Sequence, residues 1–217
     1  MPAASVVCLY LLPGMADWEA GLALAELHTG RFFRKGVAPY AVRTLAVTRE
    51  PVVTLGGMRI IPDVVIGELA PEQLALLLLP GSDQWQDPLH APVLALARRC
   101  LQLGVPVAAI CGATVALAAA GLLDDRCHTS NDLGYLKTVC PAYRGEAQYR
   151  HEPAVLDGDL ITASGTAPVA FARCILQRLQ VCTPTALAAW QQLFATHEAK
   201  HYLTLMRECS WRPEGRT

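Results

Sequence analysis

Two stretches of the 217-residue chain carry residue types at spacings that could do chemistry. The first is Cys111 in "VPVAAICGATVALAAAGLL" (105–123). Val105, Val107, Ala109 and Ile110 read as a short buried strand, whereas Val115, Leu117, Ala118 and Leu122 suit a helix with Gly121 near its end. Cys111 therefore falls where the strand must turn sharply into the helix. A side chain on such a turn is strained and exposed, and the small neighbours Gly112 and Ala113 let the backbone bend. The head of the helix turns unpaired N–H groups towards the sulfur, which favours the thiolate, lowers the thiol pKa and suits an oxyanion. A small buried thiol is the plainer reading of the same position. The second stretch is "THEAKHY", in which His197-Glu198-Ala199-Lys200-His201 matches HExxH, a helix-borne pair of zinc ligands with a glutamate base. No third ligand follows at a metzincin spacing, and the helix is the last in the chain, far from the strand ends. A solvated helix face is expected there, and no metal site.

The elements that must position Cys111 alternate along the chain. Residues 5–12 read as a buried strand, 17–28 as a helix, 40–48 as a strand, and 52–61 as a hairpin turning on Gly56-Gly57. A wholly apolar strand at 74–81 and a helix at 91–104 precede the cysteine stretch. After it come a hairpin at 154–164 on Asp157-Gly158, a helix at 168–180 and a closing helix at 184–209. Strands apolar on both faces and separated by helices predict an α/β fold with a mainly parallel, flavodoxin-like sheet and helices on both faces. Ligands then bind at the carboxyl ends of the strands, where Pro80-Gly81, Cys111 and the loop before Glu19 converge. No repeat or linker divides the chain, so residues 1–217 are expected to form a single domain.

Bulk composition narrows the function. Eighteen basic and nineteen acidic residues without a run of either sign give no footprint for nucleic acid or an anionic membrane. Apolar residues make up 53% of the chain but come in short blocks, so no membrane helix is indicated. The N-terminus lacks a secretory signal pattern, and a cytoplasmic location is expected. The eight cysteines are scattered with no CxxC, which suits buried free thiols rather than disulfides. A small-molecule substrate is easier to reconcile with this chain than a polymer.

In this order and spacing, an acidic residue after the first strand, "LLLLPGSD", "AAICGATVALAAAGLL", "TSN" and "DGDLITASGTAPVAFA" resemble the ThiJ/PfpI (Parkinsonism-associated deglycase-like) family of the class I glutamine amidotransferase-like superfamily. The resemblance covers nearly the whole chain. It implies that Cys111 is the nucleophile on an elbow. It also implies that Glu19 is a protonated carboxyl donating to the thiolate, a role burial would support by raising its pKa. Gly81 and Ser82, with Gly112, correspond to the backbone donors of the oxyanion site, Ser82 replacing a second glycine. Were a positive φ required there, serine would be strained. Asn131 stands where many relatives carry a histidine, and Gly112 replaces the histidine that follows the cysteine in the peptidase-like branch. Asn131 can orient a carbonyl or a water but cannot take a proton.

Three further candidates remain. Asp17 could line the pocket, although an N-cap role suits it better, and Trp18 could wall the site or belong to core or dimer surface. His128 is the histidine nearest Asn131, but on a strand it would face the other way. The resemblance implies a cysteine-dependent hydrolase or lyase for a glyoxal, amide or isonitrile. Strong proteolysis is disfavoured by the missing histidines. An oxidative-stress sensor using the same thiol is the alternative. A glutamine amidotransferase-like protein is the weaker one, because His197 and Glu198 are adjacent in a helical stretch instead of forming His-x-Glu in a loop. A homodimer is implied, and no cofactor.

Overall fold

The computed structural model describes residues 6–209. In chain order the elements are β1 (Val6–Tyr10), α1 (Asp17–Thr29), β2 (Ala41–Ala46), β3 (Val52–Val53), β4 (Arg59–Ile60), β5 (Val64–Val65), β6 (Leu74–Leu79), α2 (Ala91–Gln102), β7 (Val107–Ile110) and α3 (Gly112–Ala119). They continue with α4 (Leu133–Val139), β8 (Ala154–Asp157), β9 (Leu160–Ala163), α5 (Pro168–Arg178), α6 (Pro184–Thr196) and α7 (Ala199–Glu208). Ser5, the first residue of the expected opening strand, lies outside the described residues.

Seven strands form one sheet in the order β5-β2-β1-β6-β7-β9-β8. All neighbours pair in parallel except β8, which runs antiparallel to β9 at one edge. β6, with sequence LALLLL, is buried along its whole length, as is β7. Only a sheet covered on both faces accommodates such strands. α1 packs on α5, α5 on α6 and α6 on α7, while α2 and α3 pack against β7. The expected mainly parallel α/β architecture is thus the one found. β3 and β4 pair separately as a small antiparallel hairpin. The direction of winding reverses between β1 and β6, so a crevice opens beyond their carboxyl ends.

Three local expectations need correction. The single helix at 184–209 is two helices, because His197 takes a left-handed conformation (φ 61°) that ends α6, and α7 starts anew at Ala199. β5 and α4 were not anticipated. β5 is too short to display a period, and α4 is a seven-residue helix whose sequence signal is the Asp132 cap, which accepts the Tyr135 N–H at 2.7 Å. No helix among the described residues is long and apolar enough to cross a membrane.

Candidate active site

Cys111 sits between β7 and α3 with φ 59° and ψ −126°, a left-handed conformation that a side chain adopts only when the surroundings enforce it. Its N–H donates to the Ala163 carbonyl at the end of β9. Its carbonyl accepts the Thr114 N–H and the Thr114 hydroxyl, the latter at 2.6 Å. The Thr114 proton being used there, Ser130 Oγ is the donor in the 2.7 Å contact between the two hydroxyls. The elbow is therefore held from the sheet, from its own helix and from the 128–131 segment.

Three glycines make room around the elbow. A Cβ at Gly81 would stand 2.6 Å from Cys111 Cβ, and one at Gly112 would stand 2.5 Å from the Ser82 carbonyl oxygen. At Gly165, just beyond β9, a Cβ would stand 2.8 Å from Cys111 Sγ and 3.0 Å from Glu19 Oε1. Gly165 is a site residue that the sequence reading missed. Its signal was its place after a strand on the same rim.

Glu19 is fully buried in the first turn of α1. The Gly81 N–H donates to its Oε2 at 2.6 Å, while Oε1 is buried without a hydrogen-bond partner, and the carboxyl and Cys111 Sγ border the same two glycines, Gly81 and Gly165. Burial pushes the Glu19 carboxyl up to about 7, against the lowering pull of the Gly81 N–H and of Cys111. With Oε2 accepting from Gly81, Oε1 is the oxygen left free to take a proton. Two expectations change here. Gly81 spends its N–H on orienting the acid, so it is not an oxyanion donor. The Cys111 thiol is also not lowered: burial pushes it up, and an ionised Glu19 adds to that, outweighing the donations of Asn131 and the Gly112 N–H.

Asn131 completes the contact. Its Nδ2 donates to Cys111 Sγ at 3.3 Å, and its orientation is set by the Gly165 N–H, which donates to Oδ1 at 2.8 Å. Ser82 has an extended backbone (φ −163°), so a serine is unstrained there. Its hydroxyl donates to the Pro13 carbonyl and accepts the Gln84 N–H, fixing the loop after β6. Trp18 lines the site, its indole N–H donating to the Gly165 carbonyl at 3.1 Å.

Asp17 and His128 are used elsewhere. Asp17 is the first residue of α1, not its cap, and accepts the Gly56 N–H at 2.6 Å, pinning the β3–β4 hairpin. The Thr54 hydroxyl and this N–H hold its carboxyl below the usual range. His128 is fully buried, with Nδ1 against the Arg126 carbonyl at 2.7 Å and Nε2 against the Tyr143 hydroxyl at 2.6 Å. Burial pushes its pKa down. It does not reach the cleft. At the far end of the chain, His197 ends α6 and His201 lies in α7, so the two are not one turn apart on a single helix as the zinc motif requires.

The cleft over Cys111 has a volume of about 350 Å³, enough for a small molecule. Its walls include Leu55, Trp85, Val115 and Tyr135, which the sequence reading did not single out. A cysteine on a strand-to-helix elbow, beside a buried acid at the reversal point of a doubly wound parallel sheet, places the chain in the class of doubly wound α/β proteins with a candidate site at the strand carboxyl ends. The chain belongs to the DJ-1/PfpI family, whose model matches residues 5–178. It is 44% identical over 200 residues to YoaZ of Bacillus subtilis, named an uncharacterized protease, covering 92% of this chain and 95% of that one. A ThiJ/PfpI family protein from Bacillus anthracis superposes with a TM-score of 0.93 at 44% identity, covering 95% of this chain and 98% of the other. A DJ-1 superfamily protein from Agrobacterium tumefaciens gives 0.76 at 36% identity over 89% of this chain and all of the other.

Proposed function

We propose that the protein is a cysteine-dependent hydrolase or lyase acting on a small electrophile of the glyoxal, amide or isonitrile type. The observation that carries this reading is the convergence of a buried acid oxygen without a partner and an oriented amide donor on a cysteine in a left-handed elbow. For a carbonyl substrate, Cys111 Sγ bonds to the carbon as its proton passes to Glu19 Oε1, and the carbonyl π pair moves onto oxygen. The Ser82 and Gly112 N–H groups at the mouth of α3 receive that oxyanion. Glu19 then returns its proton to the leaving group as its bond to the carbon breaks, and water cleaves the resulting thioester to free Cys111; where rearrangement follows instead, the proton goes to the oxyanion.

No histidine serves as base in this scheme, so the relative's name of protease extends here only to small amides. The same geometry supports a second reading, an oxidative-stress sensor. In it a peroxide oxidises Cys111 to the sulfenic and then the sulfinic acid, and protonated Glu19 donates to the new oxygen. A homodimer belongs to the proposal. Val53, Met58 and Ile61 on the β3–β4 hairpin are each more than half exposed, an apolar face that a second copy would cover. A monomer by light scattering at micromolar concentration removes that part.

The deciding experiment is the pH dependence of alkylation at each cysteine, resolved by peptide mass mapping, on wild type and Glu19→Gln. Because an ionised Glu19 holds the Cys111 thiol up, the pH profile of Cys111 alkylation is expected to shift to lower pH in the variant. Reactivity that follows an ordinary thiol near pH 8.5 in both proteins removes the activated-nucleophile reading. Turnover on glyoxals, isonitriles or amides then separates enzyme from sensor.

A further inference from the structure

The charge and shape of the cleft restrict what Cys111 meets, an inference that rests on the reading of that cysteine as the nucleophile. Trp18, Leu55 and Tyr135 line one cleft yet are 55%, 62% and 53% exposed. Large apolar side chains exposed singly need no explanation, but three around one cavity mark a binding surface. They come from three separate elements, each fixed in place. The Trp18 indole is tied to the Gly165 carbonyl. Leu55 is carried on the hairpin tip, its own N–H donating to the Met15 carbonyl at 2.9 Å, while Asp17 holds the neighbouring Gly56. Tyr135 lies in the first turn of α4, its N–H capped by Asp132.

The charges in the cleft are all acidic. Among the described residues lining it there is no lysine, arginine or histidine, and its two carboxyl side chains are those of Asp83 and Glu19. A ligand carboxylate or phosphate would enter this space without a counter-charge and beside like charge, which costs affinity in a partly desolvated site. We infer that the site takes an uncharged carbonyl compound bearing an aromatic or branched apolar substituent, held by Trp18, Leu55 and Tyr135, and that it rejects carboxylate-bearing analogues.

Binding to the full-length Cys111→Ser protein tests this without any chemistry, with fluorescence of the cleft tryptophans or calorimetry as the readout. Benzamide, benzoate and acetamide serve as probes. Benzamide is expected to bind at least about tenfold more tightly than either of the others, and Trp18→Ala or Tyr135→Ala to weaken it about fivefold. Both are exposed side chains, so either variant leaves the core untouched. Benzoate binding as well as benzamide overturns the charge argument, and acetamide doing so overturns the apolar one. Wild-type alkylation read alongside separates the failures. An inert Cys111 with benzamide still preferred removes the nucleophile and keeps the ligand class. A reactive Cys111 without preference does the reverse.

Discussion

His128 and Asn131 lie three residues apart on one segment, and they face two polar clusters of opposite character. Around His128 every polar atom of the ring is engaged, and the rings of Tyr143 and Tyr149 stand edge-on at 5.5 and 5.7 Å. Around Asn131 the demand is left open. A cysteine is held at a left-handed φ, one oxygen of a buried glutamate has no partner, and a cleft leads in. Histidine is the residue type more often associated with catalysis, yet here it is the structural one. What separates the clusters is satisfaction: a closed network stabilises, whereas strain and an unpaired buried oxygen persist only where the rest of the fold enforces them.

The largest effect that can break this comparison is expected from His128→Ala. It would leave the Tyr143 hydroxyl and the Arg126 carbonyl without their partner and open a cavity in a fully buried place. A loss of about 3 kcal/mol in urea unfolding is expected. Under native conditions the alkylation rate of Cys111 should stay within about twofold of wild type. A tenfold fall in that rate with the fold intact would put His128 in the chemistry and erase the contrast.

On the open side, Glu19→Gln sharpens the comparison through pH. The folded carboxyl titrates at about 7, above the ordinary carboxylate value of 4.5, so between these values the folded state holds a proton that the unfolded chain has lost. Stability from this group is therefore full below about pH 4.5, declines as pH rises, and is gone once pH passes the folded value. Glutamine keeps an acceptor for the Gly81 N–H and carries no charge, so the variant should be more stable than wild type at pH 8. The expected margin is about 2 kcal/mol once screening through the open cleft is allowed for, shrinking towards zero near pH 4. Parallel stability curves for the two proteins would show that Glu19 is not held protonated by burial.

Much of the architecture was legible because its signals are local. Continuous apolar strands such as LALLLL, split from one another by helical periods, leave few alternatives to a covered parallel sheet. The elbow was visible as a cysteine at the seam followed by Gly112, a glycine whose place a Cβ could not share with the Ser82 carbonyl. What escaped depends on contacts distant in sequence. Gly81 gives its N–H to a residue 62 positions away, and Leu55 reaches the cleft only because Asp17 and Met15 anchor its hairpin. Burial likewise decides the direction in which Cys111 and Glu19 shift, and burial is a property of the assembled fold. The break at His197 has no local signal either, since a non-glycine residue at positive φ is ordinarily avoided.

That break supplies the smallest expected effect, in a third polar group that resembles a site by residue type alone. Glu198 is exposed, pairs with Lys200 Nζ at 2.7 Å and stands 3.4 Å from His201 Nε2. Ion pairs in this setting contribute little and weaken further in salt. Glu198→Ala should leave the urea unfolding midpoint where it is in wild type, and added zinc or a chelator should leave the melting temperature of both proteins in place. Stabilisation by zinc that vanishes in Glu198→Ala or His201→Ala would mean that α6 and α7 rearrange to bring the imidazoles together. The left-handed turn at His197 opposes that rearrangement, because an unbroken helix would have to form through it. The HExxH letters are present in this chain, but the chain direction that would make them a ligand set is not.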